Sequence, residues 1–409
     1  MIDIIDKLMC CGCTACEQVC PRKCISLEED TEGFLYPKID EGRCIDCHLC
    51  EKVCPVLNPN EERVPLKVYA AYNKNEIIRS KSASGGIFTI IAEKIINEGG
   101  VVFGVKFDEN WDVVYGYTET LEGLEPFRRS KYVQAKVGNA YNDVWTFLKK
   151  GKKVLFTGTP CQIAALKKFV RTDYENLLTM DLICEGVPSP LVWRRYLNEE
   201  IAEQSAQFKK RPNTKIVVAD INFRNKKRGW RQFAFCLELN QVDSNTGDVV
   251  DKSIVIERTS YMRALMNYLD LRPICYQCPF KSCKSGSDLT IGDYWGIYKL
   301  HPEFCDNRGT SMVYINTNKG THYFDKQIIE CMETTYQEAF PYNNIITSVK
   351  KHPNRERFFE ELDNCKSFEK LVWKLLYTPL QCLKLRIKRM VKVWIGEEGY
   401  EKLKKIRHL

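Results

Sequence analysis

Three observations predict the fold class of this 409-residue chain: a small α+β module, then an α/β domain with a parallel or mixed sheet, then a helical basic C-terminal tail. One cysteine spacing occurs twice near the N-terminus, β-branched apolar runs then alternate with amphipathic segments, and positive charge collects at the C-terminal end. At roughly 150 residues per domain, the length accommodates two or three units. A hydrophobic content of 44% is ample for buried cores. Met1-Ile2-Asp3-Ile4-Ile5-Asp6 lacks the basic start and apolar stretch of a signal peptide, and no segment reaches the about 18 apolar residues of a membrane span. The expectation is a cytoplasmic protein.

Without an export signal, twenty cysteines point to metal or redox chemistry rather than disulfides. Cys10, Cys13, Cys16 and Cys20-Pro21 read C-x2-C-x2-C-x3-C-P, and Cys44, Cys47, Cys50 and Cys54-Pro55 repeat that pattern. The compact triplet lets three thiolates converge on one cubane, while the fourth, released by Pro after a helical turn, points toward the other. The spacing therefore predicts a bacterial-ferredoxin-like dicluster domain over residues 1–57. One [4Fe-4S] cluster falls to Cys10, Cys13, Cys16 and Cys54, the second to Cys44, Cys47, Cys50 and Cys20. Structural zinc prefers two C-x2-C pairs to two such triplets. Cys11 and Cys24 lie outside the repeat and read as small buried thiols, and Gly33-Phe34-Leu35-Tyr36-Pro37 reads as a hairpin between the halves.

Residues 58–66, with their prolines and charges, read as a linker. The second domain is expected over 67–345. Strand candidates are Lys67–Tyr72, Val101–Phe107, Val154–Phe156, Leu177–Ile183, Leu289–Ile291 and Met312–Ile315. Helix candidates are Ile87–Ile96, Asn139–Lys149, Ile163–Val170, Leu191–Glu203 and Tyr261–Leu269. Their alternation favours an α/β domain.

Two strand ends carry cysteine. After Val154–Phe156 come Gly158, Thr159 as a helix cap, Pro160 at the first helical position and Cys161 in the first turn, where backbone amides favour a thiolate. The Leu177–Ile183 run ends at Cys184, and sites in open α/β sheets gather along that edge. Farther on, Cys275-Tyr276-Gln277-Cys278 is a chelating pair with Cys283 close behind. Cys161 and Cys184 would complete a third cubane with the pair. The rivals are a thioredoxin-like redox pair and half of a zinc site, and chemistry alone does not choose between Cys283 and the strand-end thiols.

Lys81-Ser82-Ala83-Ser84-Gly85-Gly86, Arg129-Ser130-Lys131-Tyr132-Val133-Gln134, Phe156-Thr157-Gly158-Thr159-Pro160-Cys161-Gln162, Asp181-Leu182-Ile183-Cys184, the Cys275/Cys278 pair, Ser287–Gly296 and Gly309-Thr310-Ser311 together resemble the coenzyme F-420 hydrogenase/dehydrogenase beta-subunit family over roughly residues 67–340. The resemblance implies an FAD-dependent iron-sulfur oxidoreductase with three [4Fe-4S] clusters. It also implies Cys161, Cys184, Cys275 and Cys278 as ligands of the third, with Cys283 a spare thiol. FAD binding would involve Ser84, Gly85 and Gly86 at a helix N-terminus suited to a diphosphate, Lys131, Gly158, Thr159, and Asp293 orienting the flavin or substrate. Relatives often carry His after the Cys184 position, where this chain has Glu185, so a carboxylate flanks the implied cluster. No catalytic residue is assigned.

From Lys366 onward, twelve Lys/Arg against four Asp/Glu carry the whole net charge of +8, so residues 1–365 are balanced and no nucleic-acid surface is expected. Within the 346–409 tail, Leu380, Leu383, Ile387, Met390, Val391 and Trp394 recur at helical spacing beside Lys384, Arg386, Lys388, Arg389 and Lys392. Such a helix can lie on anionic lipid at the inner face of the membrane, or pack its apolar stripe on protein, the reading favoured here. The leading function is electron exchange between an organic hydride donor or acceptor, a deazaflavin coenzyme or another conjugated molecule, and the clusters via FAD. The alternative is a non-catalytic electron-transfer subunit docking on a partner enzyme. A redox partner protein or small-molecule carrier is expected, and self-association is compatible with either reading.

Overall fold

The computed structural model describes residues 2, 6–206, 208, 211–257, 259–343, 345–381, 383, 387 and 390. It divides into two compact units, Met1–Arg258 with Leu271–Lys351, and Thr259–Asp270 with His352–Leu409.

The first unit begins with α1 (Ala15–Val19), β1 (Ile25–Glu29), β2 (Leu35–Ile39) and α2 (Leu49–Lys52). β1 and β2 pair antiparallel, Ile25 opposite Ile39, which is the expected hairpin. The repeated sequence produces a repeated backbone: Thr14 before α1 and His48 before α2 both adopt left-handed conformations, at φ 62° and 58°. Each such residue turns the chain between the second and third cysteines of its triplet.

The body follows with β3 (Lys67–Asn73), α3 (Glu76–Lys81), α4 (Ile87–Asn97), β4 (Val101–Phe107), β5 (Val113–Thr118), α5 (Ala140–Lys149), β6 (Val154–Gly158), α6 (Pro160–Val170), β7 (Leu177–Leu182) and α7 (Pro190–Ser205). Next come β8 (Thr214–Asn225), β9 (Ala234–Asp243) and β10 (Val249–Glu257). After α8 (Ser260–Met266) of the second unit, the body resumes with β11 (Leu289–Asp293), α9 (Ile297–Leu300), β12 (Ser311–Ile315), α10 (Asn318–Tyr323), β13 (Ile329–Thr334) and α11 (Tyr336–Ala339).

The large sheet runs β13-β3-β12-β11-β7-β6-β4-β5. β4, β6, β7 and β11 are parallel neighbours, flanked by antiparallel strands on both sides, so the sheet is mixed. Both faces of its parallel centre are covered. Val102, Leu155, Leu178 and Met180 pack with Ile87, Ile90, Ile91 and Ile95 of α4. The alternate residues Val101, Phe103, Val154, Phe156 and Leu177 pack with α5 and α6, joined there by Cys11, Cys13, Ala15 and Val53 of the N-terminal module. The segment expected as a linker is tied down: Asn60 Nδ2 donates to Lys284 O at 2.9 Å and Arg63 Nη2 to Ser287 O at 2.9 Å.

Sequence reading passed over β5, β13 and the separate antiparallel sheet β10-β9-β8. β8, for example, alternates half-exposed polar with apolar residues, a weaker signal than the continuous apolar runs of central parallel strands. The expected helix Tyr261–Leu269 is the shorter α8, capped by Thr259.

The second unit contains α8, α12 (Arg355–Leu362) and α13 (Phe368–Leu376), with Phe358, Leu362, Phe368, Leu371, Val372 and Leu375 buried. Beyond α13, Leu380, Leu383, Ile387 and Met390 are exposed. Lys384, Arg386, Lys388, Arg389, Val391, Lys392 and Trp394, expected to complete the amphipathic helix, lie outside the described residues. Among the described residues, no helix is long and apolar enough to cross a membrane.

Candidate functional site

Two cavities in the N-terminal module are lined by cysteine. Cys10, Cys13, Cys16 and Cys54 face one, walled by Leu27, Leu35, Pro37 and Val56. Cys20, Cys44, Cys47 and Cys50 face the other, with Ile25, Ile39 and Ile45. The trailing cysteine of each repeat thus lines the cavity of the other repeat. Burial pushes the Cys16 thiol up, and charge on Cys10 and Cys54 adds to it. Cation-bearing clusters would relieve this, because iron binds thiolates that otherwise repel. At Cys20 the upward push of burial is outweighed by hydrogen bonds from the Cys24 amide and thiol and from the amides of Arg22 and Lys23, so that thiol is lowered. Cys24, read as incidental, lies with its Sγ 3.3 Å from Cys20 Sγ. Among the described residues no three Cys, His, Asp or Glu side chains stand close enough to share a single ion.

A third set forms at the sheet edge. β6 and β7 run parallel with Gly158 beside Asp181, so Cys161 at the start of α6 and Cys184 just past β7 emerge together. The short turn Pro273–Gln277 brings Cys275, with Cys278 at its end. Burial raises the Cys184 thiol to about 12, and Cys161 and Cys278 add to the effect. Cys275 is raised first by burial, then by Cys184, Cys278 and Cys161. These couplings place the four side chains in one neighbourhood. Gly186, at φ 134°, lets the chain pass close: a Cβ there would meet Cys275 Cβ at 3.1 Å. Lys281 Nζ donates to Cys184 O at 2.8 Å. Cys283 is buried elsewhere, among Tyr294, Met312 and Tyr314, where burial raises its thiol to about 12 and its charged neighbours are Asp181 and Arg63. Cys13 and Cys161 both act on the buried Cys11 thiol, the first raising it and the second lowering it, so Cys11 stands near the first cavity and the third set at once. Sequence reading missed that contact, and no local signal marks it.

The loops carrying the flavin-family resemblance are engaged in packing. Ser84 Oγ donates to Thr310 O at 3.0 Å and does not cap α4. Gly85 N donates to Ser311 Oγ at 3.0 Å, and a Cβ at Gly85 would lie 2.5 Å from Ala71 O. Gly86, at φ 83°, stands at the N-cap of α4. Lys131 Nζ donates to Pro126 O at 2.6 Å and Arg128 O at 2.7 Å, and burial, then Arg129, lowers its pKa to about 7. A Cβ at Gly158 would lie 2.3 Å from Tyr115 Oη. Thr159 N donates to Gln162 Oε1 at 2.9 Å, and Thr159 Oγ1 lies 3.1 Å from Cys161 Sγ. Gly158 and Thr159 therefore seat Cys161.

Asp293 ends β11 and gathers residues that sequence reading passed over. Trp230 Nε1 donates to Asp293 Oδ1 at 2.7 Å, and Arg224 Nη1 lies 2.8 Å from Asp293 Oδ2. Arg224, buried, also donates from Nη1 to Tyr132 Oη at 3.2 Å and stacks 3.7 Å from the Phe233 ring centre. Its Nε and Nη2, also buried, have no partner among the described residues. That pair is one edge of the guanidinium fork, which suits two adjacent acceptors on a planar or anionic ligand. Lys226 Nζ donates to Arg79 O, Ser84 O and Arg308 O at 2.7–3.1 Å, joining the β8 edge to the Ser84 loop. The signal in sequence was Arg224-Asn225-Lys226 at the end of a strand that had not been read as one, with Trp230 in the turn that follows.

Residues 151–338 match the family model for the C-terminal part of the coenzyme F420 hydrogenase/dehydrogenase beta subunit, and residues 9–58 match that of the 4Fe-4S dicluster domain. Over 196 residues the chain is 26% identical to the subunit designated F in the F(420)H(2) dehydrogenase of Methanosarcina mazei, covering 44% of this chain and 55% of that protein. The chain thus spans about half the length of the curated relative it matches. A solved structure of the F420-reducing [NiFe] hydrogenase complex from Methanosarcina barkeri, derivatized with xenon, aligns over 77% of this chain and 90% of its own at 17% identity, with a TM-score of 0.44. With its paired cysteine cavities ahead of the mixed-sheet body, the chain carries a 4Fe-4S dicluster domain at its N-terminus and, over residues 151–338, is similar to the C-terminal part of the coenzyme F420 hydrogenase/dehydrogenase beta subunit.

Proposed function

We propose that this chain is an iron-sulfur flavoprotein oxidoreductase, moving electrons between an organic hydride donor or acceptor and three [4Fe-4S] clusters via FAD. The organic partner is a deazaflavin coenzyme or another conjugated molecule. The observation that carries the reading is the gathering of Cys161, Cys184, Cys275 and Cys278 at one sheet edge, with Cys11 linking Cys161 to the first N-terminal cavity. Cys10, Cys13, Cys16 and Cys54 would hold one N-terminal cluster and Cys20, Cys44, Cys47 and Cys50 the other. When bound, FAD supplies interconversion of a hydride with single electrons. The chain's part is to orient it. The free edge of the Arg224 fork offers two donors to the acceptor edge of the flavin ring, and Asp293 holds that fork in place. Gly86 starts α4, whose N-terminal amides suit a diphosphate.

The sequence of sites follows from proximity. The body set neighbours the first N-terminal cavity through Cys11, while the second cavity has Cys47 exposed and Ile45 59% exposed. That outer cavity supports a second reading as well, in which the chain is an electron-transfer subunit that delivers to a docked partner without turning over a substrate of its own. Anaerobic purification with iron, sulfide and flavin counts tests the first reading. Iron and sulfide for three clusters with about one FAD per chain is expected. Full iron without flavin would leave the electron-transfer reading, and iron for one cluster or none would overturn both.

A further inference from the structure

Arg272 is fully buried, two residues before the Ile274-Cys275 step of the body set. Its guanidinium reaches into the N-terminal module. Nε donates to Cys10 O at 2.8 Å, Nη2 to Cys10 Sγ at 3.3 Å and Leu35 O at 3.0 Å, and Nη1 to Gln134 Oε1 at 3.1 Å. The Tyr36 ring centre lies 4.2 Å from its central carbon. Gly12, at φ 70°, makes room, since a Cβ there would lie 2.7 Å from Nη1. Among the described residues no carboxylate pairs with this cation. The acidic side chains that bear on it are the thiols of Cys10, Cys11 and Cys275 and the Tyr36 hydroxyl. A buried guanidinium without an acidic partner is costly, so its compensating charge must come from the thiolates and whatever they hold.

We propose that Arg272 is a positioning residue that raises the reduction potential of the cluster on Cys10, Cys13, Cys16 and Cys54. The inference rests on the cluster assignment above. Reduction adds one electron to that cluster, and a fixed cation donating an N–H···S bond to a ligand sulfur favours the more negative, reduced state. Because Cys275 bears on the same guanidinium as Cys10, the cation also weakens the repulsion between the Cys10 cluster and the body set.

The test is a redox titration followed by electron paramagnetic resonance on full-length, anaerobically purified protein, with iron counted in each sample. Arg272→Gln removes the charge. At a fixed poise, the reduced-to-oxidised ratio of the Cys10 cluster should fall about tenfold, which is about 59 mV for a one-electron couple. The cluster on Cys20, Cys44, Cys47 and Cys50 should not shift. Arg272→Lys keeps the charge without the fork and should lower the ratio by less, and it is the variant to read if the Gln form loses iron. Unshifted potentials with full iron, an equal shift of every cluster, or loss of the Cys10 cluster from both variants would each overturn the proposal. Absence of cluster signals from the unaltered protein would instead count against the cluster assignment itself.

Discussion

Arg224, buried, and Asp293, half-buried, form an ion pair at 2.8 Å that joins the small antiparallel sheet to the end of β11. The pair leaves the Nε and Nη2 edge of the guanidinium without a partner among the described residues. Replacing Arg224 with Leu should therefore strip most of the FAD from the purified protein while leaving its iron in place. Flavin retained at the unaltered level would rule out this fork as part of the flavin site. Asp293→Ala should act on the fold, because it leaves the cation buried and uncompensated. The expected cost is about 3 kcal/mol in chemical denaturation.

The crossed pattern of the N-terminal cavities makes a direct prediction. Cys54→Ala should remove the cluster shared with Cys10, Cys13 and Cys16, and Cys20→Ala the cluster shared with Cys44, Cys47 and Cys50, each costing roughly a third of the iron. The two variants should lose different resonance signals. Loss of the same signal from both would refute the crossed assignment.

Cys11, Cys161 and Cys283 separate ligands from bystanders. Cys161→Ala should cost roughly a third of the iron, whereas Cys11→Ala and Cys283→Ala should keep all of it. The expectation for Cys283 follows from its burial among Tyr294, Met312 and Tyr314 and its distinct charged neighbours. Iron loss in the Cys283 variant would put that thiol in the third ligand set instead.

Asp270, in the second unit, is fully buried, and neither carboxylate oxygen has a partner among the described residues. Burial raises its pKa to about 7 against an ordinary 3.8, with its own amide and Arg355 opposing the rise. The folded state then binds a proton that the unfolded state releases between those values. Stability present at low pH is lost as pH rises from about 4 to about 7, by up to about 4 kcal/mol. Asp270→Asn should flatten that dependence. Denaturation midpoints at about pH 5 and about pH 8 check it, and an equal pH response in both proteins would contradict it.

The dicluster domain and its cysteine-lined cavities were legible because their logic is local. Two triplets with trailing Cys-Pro steps encode both the cavities and their left-handed turns at Thr14 and His48. Adjacency of Cys161 and Cys184 was also legible, because each follows an apolar run of central-strand character and the two strands lie parallel side by side. The small sheet was hidden by its half-exposed alternation, and with it went Arg224, Lys226 and Trp230.

By itself, the sequence determined the chemistry on offer: which thiols come in chelating sets, that the body would alternate strand and helix, and that the charge would lie in the tail. Tertiary structure alone decided which distant groups meet. Cys11 reaches Cys161, Arg272 reaches Cys10 across 262 positions, and Arg224 reaches Asp293. The physical reason is that spacing constrains only a few residues on either side. A buried cation or thiol finds its partners through sheet register and module packing, and no short motif encodes those.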